Sequence, residues 1–144
     1  MDPRQTSGSS VGVTLWIHQQ TRRVESEARS NLSRVSGATS LRDLVHFGEV
    51  RIPAELRYAR NSIPGLRTLE FTIEKKIEVL LRERTFEITK AESLEAAKAL
   101  RGKLMQECNV LRGKYSRQYR FADDESRRCL YLKQKIEQES ASPI

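Results

Sequence analysis

Lysine is missing from the first half of this sequence: every base from Met1 to Gly65 is arginine, and lysine occurs only from Lys75 onward. Proline is equally scarce further along. None lies between Gly65 and Pro143, which removes the strongest helix breaker from that whole stretch. The two cysteines, Cys108 and Cys129, form neither a CxxC pair nor the dense spacing of a disulfide framework. No apolar run approaches the roughly 20 residues that cross a bilayer, and no secretory leader is visible. The expected setting is therefore a reducing cytoplasm, with a nuclear, cytoskeletal or virion location as alternatives, and no membrane partner is expected.

Other absences narrow the chemistry. His18 and His46 are the only histidines, and both are read as structural or surface residues, so no metal site is expected. Asp123, Asp124 and Glu125 are consecutive, and on a helix they point in different directions. They are read as N-terminal capping or as partners of Arg127 and Arg128. No glycine-rich phosphate loop follows a strand, and no ordered Ser/His/Asp set stands out. No catalytic residue and no cofactor are expected.

What remains is charge and helix. Charged residues make up 31% and hydrophobic ones 38%, too few apolar groups for a compact ball but enough for helices that each bury one stripe. The expected class is all-α. The net charge of +7 favours acidic partners.

Met1 to Gly12 reads as a tail. Between Val13 and Val35 a helical stripe appears at Ile17, Val24, Ala28, Leu32 and Val35, closed by Gly37. Ser40 to Asp43 has the form of a capping box, which starts a short helix running to Phe47 and Gly48. Glu49 to Pro53 is expected to be extended, with a helical turn or two from Pro53 to Tyr58. Asn61-Ser-Ile-Pro-Gly65 is the clearest punctuation, so residues 13–65 are taken as short helices and linker that dock on a partner. Trp16 is the expected anchor of that docking.

Residues 66–139 are expected to form a long helix or helical hairpin with coiled-coil character, followed by a tail at 140–144. One straight rod of this length would reach roughly 110 Å. From Leu94 to Ile136 a seven-residue pattern passes through thirteen positions, ten of them apolar or weakly so. Upstream, Leu69, Ile73, Ile77, Leu80, Ile88 and Ala91 follow another phase, which predicts a stutter, a bend or a change of packing partner near residues 84–94. Bases before and acids after Arg120 to Glu125 permit a break there, but the seven-residue pattern runs through it and predicts continuity. The seam expected to carry association is Leu104, Cys108, Leu111, Cys129, Leu132 and Ile136.

Between Lys98 and Arg120 there are seven bases and one acid, Glu107, and the tetrapeptide LRGK occurs at both 100–103 and 111–114. Eleven residues are about three helical turns, so on one continuous helix the two copies would share a face. Arg101, Lys103, Arg112, Lys114, Arg117 and Arg120 then form the expected basic patch. Gly102 and Gly113 would let another backbone or a phosphate approach. The function these features predict is a non-catalytic helical assembly protein, which docks in a larger complex through its seam and this basic face. Its partner is an acidic protein surface or a second copy of the chain. The alternative is a nucleic-acid-binding protein of a ribonucleoprotein or virion, with Tyr115, Tyr119 and Phe121 interleaved among the bases for stacking.

Overall fold

A computed structural model describes residues 8–141, so of the expected tails at 1–12 and 140–144, residues 1–7 and 142–144 lie outside the described residues, while 8–12 and 140–141 belong to the first and last helices. All regular structure among the described residues is helical, and the class is all-α. The α-helices are α1 (Gly8–Val35), α2 (Leu41–Phe47), α3 (Leu66–Lys90), α4 (Leu94–Glu107) and α5 (Ser116–Ala141). Two 3-10 segments, Ala54–Ser62 and Cys108–Leu111, join them. The chain divides into two compact units. One holds α1, the first 3-10 segment and the opening turns of α3 through Ile73; the other holds α2, the rest of α3, α4 and α5.

In the first unit α1 buries the stripe its spacing predicts: Val24, Ala28 and Val35 are sealed from solvent, and Ile17 and Leu32 are half-buried. Leu56, Ile63, Leu66, Leu69 and Ile73 supply the rest of this core. The extended segment after Phe47 has no strand partner for its carbonyls, and α1 supplies donors instead. Asn31 Nδ2 donates to the Phe47 carbonyl at 2.9 Å, and an Arg23 guanidinium nitrogen donates to the Arg51 carbonyl at 2.9 Å. Arg60 on the 3-10 segment is paired with Glu70 on α3. Gly65 has φ +82°, the left-handed backbone that side chains disfavour, which is why the chain can turn from Pro64 straight into α3. Gly37 closes α1 by donating to the Arg34 carbonyl at 3.2 Å but keeps a negative φ.

In the second unit Ser40 Oγ accepts from the Asp43 amide at 3.1 Å, so the expected cap starts α2. The 66–139 stretch is three helices, not one rod. Its first interruption is Ala91–Ser93, inside the region where the apolar phase shifts. There Ser93 takes an extended backbone, and its hydroxyl accepts from the Ala96 amide at 3.1 Å to cap α4. The second interruption is the 3-10 turn Cys108–Leu111 and the residues after it, beyond which α5 returns along α4. Arg101 to Asp123 at 2.5 Å, and the Leu94 amide to Glu137 Oε1 at 2.8 Å, place the two helices antiparallel. Residues 120–125 lie inside α5 without a break. Glu74 to Gln118 at 3.0 Å and Thr89 to Cys129 at 3.3 Å hold α3 beside α5 in the same direction. Arg84 joins three elements, reaching Glu87 on its own helix, Glu107 on α4 and the Thr39 carbonyl ahead of α2.

The cap at Ser93 gives a test with opposite signs for the two architectures. In an unbroken helix, Ser93→Ala would raise stability, because alanine is the better helix former. With Ser93 as the N-cap of α4, the substitution removes the bond to Ala96 and should lower stability by about 1 kcal/mol, read by urea denaturation.

Candidate functional site

The reversal between α4 and α5 redistributes the residues that the sequence groups into one patch and one seam. Of the patch, Arg101 turns inward. Its guanidinium holds Asp123 at 2.5 Å and Ser126 Oγ at 3.2 Å, and only a quarter of its side chain reaches solvent. Asp123 also binds Arg127, one helical turn on, at 3.0 Å. Arg101 therefore joins the hairpin instead of offering charge to a partner. Lys103 lies on α4 and lines a cleft with Arg84, Glu87, Leu100, Leu104 and Glu107, apart from the four bases that follow.

The other four bases gather at the tip. Arg112 and Lys114 sit in the turn, and Arg117 and Arg120 on the first turns of α5. From Asn109 to Ala122 the sequence contains these four bases and no acid. Arg112 is fixed in place by three contacts. It donates to Asn109 Oδ1 at 3.2 Å and to the Tyr119 hydroxyl at 2.8 Å, and its guanidinium carbon lies 4.7 Å from the centre of the Tyr119 ring. Lys114 Nζ lies 5.8 Å from the Tyr115 ring centre. Arg117 borders a cleft of about 200 Å³ with Glu78, Leu81, Arg82, Gln118 and Phe121, which adds a fifth base from α3 to the neighbourhood. Arg82, Arg117 and Arg120 have no carboxylate partner among the described residues. Arg82 is a component of the site that sequence reasoning missed, since it lies outside the 98–120 stretch and on another helix.

The repeated LRGK step is not one surface. Its first copy is inside α4 and its second forms the turn, so the shared face required a continuous helix that the fold does not contain. A Cβ placed on Gly102 or Gly113 would meet nothing within 4 Å, and neither glycine has positive φ. The chain itself makes no close approach at either one.

The seam divides as well. Leu104, Cys108, Leu111 and Cys129 are buried within the second unit, along with Ala97, Tyr115 and Ala122 of the same seven-residue pattern. Leu132 and Ile136 remain exposed at 43% and 62%. Trp16, at 39% exposure, belongs to the exposed beginning of α1 with Val11, Val13 and Leu15.

Burial pushes the Cys108 thiol up to about 12, with the neighbouring Glu107 carboxylate adding to the effect. The thiolate is the reactive form, so the folded protein keeps this sulfur inert. Among the described residues no three metal-ligating side chains come together, and no helix is long and apolar enough to cross a membrane. Comparison with protein-family profiles, with curated proteins and with solved structures found no match to this chain.

Two measurements follow from this geometry. Because the folded thiol is raised above the unfolded one, Cys108 favours the fold fully below the ordinary thiol range. That contribution fades as pH rises toward about 12. At about pH 8.5, iodoacetamide should leave Cys108 unmodified in the folded protein and alkylate it after urea unfolding, as read by mass spectrometry. Gly102→Ala should stabilise by about 0.5–1 kcal/mol, since a helix-interior glycine is replaced where space is open.

Proposed function

We propose that this chain is a non-catalytic helical assembly protein that attaches to an acidic macromolecular surface through the tip of the α4–α5 hairpin. The observation that supports it is the cluster of Arg112, Lys114, Arg117 and Arg120 in a stretch of sequence without acids, with Arg112 already held in one geometry by Asn109 and Tyr119. A base fixed before binding loses less side-chain entropy on contact than a free one. A guanidinium also presents a planar fork to carboxylates, which a lysine does not. The helices beneath act as a spacer that carries this tip, and the charge of the tip sets the attraction.

A second reading has its own supporting observation. Tyr119 and the exposed Phe121 stand between the bases of α5, and aromatics set among bases also suit single-stranded nucleic acid. The polyanion preferred by the tip separates the two. With four bases engaged on single-stranded DNA, log affinity should fall against log salt with a slope of about −3.

The test is fluorescence anisotropy with labelled polyglutamate and labelled oligo-dT over a salt series. The assembly reading expects tighter binding to polyglutamate, lost at least tenfold in R112A/K114A/R117A/R120A and retained in K103A. Tighter binding to oligo-dT with the steep slope would replace it with the nucleic-acid reading. Unchanged binding in the quadruple variant would remove the tip from both.

A further inference from the structure

Two helices in this fold carry apolar side chains past the point where their own unit covers them. In α1, Val11 is 70% exposed and Leu15 55%, and these residues line one shallow depression with Thr14 and His18. In α5, Leu132 and Ile136 continue the buried seam beyond Cys129 and stand in solvent. Both faces repeat at four and then three residues: Val11, Leu15, His18 on α1, and Leu132, Ile136, Glu139 on α5. That is the spacing at which one helix presents successive layers to another.

We propose that these two faces bind each other between copies of the chain, α1 of one molecule lying parallel to the end of α5 of the next. In that register Val11 meets Leu132, Leu15 meets Ile136, and the His18 imidazole comes opposite the Glu139 carboxylate. Charge disfavours the pairing of two α5 ends. Two α5 ends in parallel would set Glu139 against its own copy, and two antiparallel ends would bring Lys133 beside its own copy. The α1 partner brings no such conflict, because Gln5 to Thr21 contains no Asp, Glu, Lys or Arg. Lys133 and Lys135 then flank only uncharged side chains and can stay solvated.

The two faces differ, so after one contact the pair keeps one free face of each kind, which a reciprocal contact closes or a further copy extends. Association therefore grows with concentration. The inference rests on reading the chain as an assembly protein, and it supplies the partner for the part of the seam that the fold leaves uncovered. It makes no use of the basic tip.

Multi-angle light scattering on a concentration series, in reducing buffer at high salt, tests it by complementation. V11E/L15E destroys the α1 face and L132E/I136E the α5 face. All four positions are exposed, and far-UV circular dichroism should show unchanged helicity. If a glutamate variant loses helicity, V11S/L15S or L132S/I136S takes its place. The wild type should exceed its 16.6 kDa monomer mass increasingly with concentration, and each variant alone should stay monomeric. An equimolar mixture of the two should give a dimer and nothing larger, because one intact face of each kind remains. A monomeric wild type, self-association of either variant alone, or a mixture that stays monomeric overturns the proposal. Because the polyglutamate experiment is read independently, failure here leaves attachment through the tip standing, and failure there leaves this contact standing.

Discussion

Burial of the seven-residue seam inside the second unit is the constraint from which the other surface features follow. Leu104, Cys108 and Leu111 on the way out, and Cys129 on the way back, meet in one core because the chain reverses between Glu107 and Ser116. The apolar area removed there is worth about 25 cal/mol per Å². The same reversal fixes the sign of the exposed surface. Arg101 falls in the covered part of the hairpin and is matched by Asp123. The bases from Arg112 to Arg120 lie in a stretch of sequence that contains no acid, and the positive charge concentrates at the tip.

An interior arrangement of this kind explains why a strongly charged, apolar-poor sequence can still form a defined core. Each helix contributes one narrow stripe, and three helices in the second unit turn their stripes toward one another. Ile77, Leu81 and Ile88 of α3 close the side that α4 and α5 leave open. Three polar groups in that region are bonded within the unit: Thr89 bonds Cys129, Gln118 bonds Glu74, and Ser126 bonds Arg101. A buried polar group without such a partner would cost about 1–3 kcal/mol.

Much of the fold was legible in the sequence, and the losses have a common cause. The stripe of α1, the cap at Ser40, the turn at Gly65 and the continuity of α5 through Arg120 to Glu125 are local features, set by side chains within a few residues of one another. The places where α3, α4 and α5 separate were harder. A seven-residue period reports which face of a helix is covered and carries no information on whether the cover is a second chain or the same chain folded back. Ser93 marks its break with a hydroxyl cap and no glycine or proline, so only the phase shift upstream hinted at it. The LRGK repeat misled for the same reason. Its interval of eleven places two copies on one face only if the helix continues between them, and Gly113 lies beyond its end.

The residues left over then become informative. Within the second unit α3 ends at Lys90, and the contact between Thr89 and Cys129 is near the last that α3 makes along α5. Beyond it the seven-residue pattern persists in Leu132 and Ile136 with no α3 side chain to meet them. At the other end of the chain, α1 carries Val11 and Leu15 ahead of the first residue that its own unit seals from solvent, Val24. A pattern that outlasts its intramolecular cover at two separate helix ends leaves an apolar face exposed at each. A histidine closes one face and a glutamate the other, and it is on this complementary pair that a second copy of the same chain is proposed as the occupant.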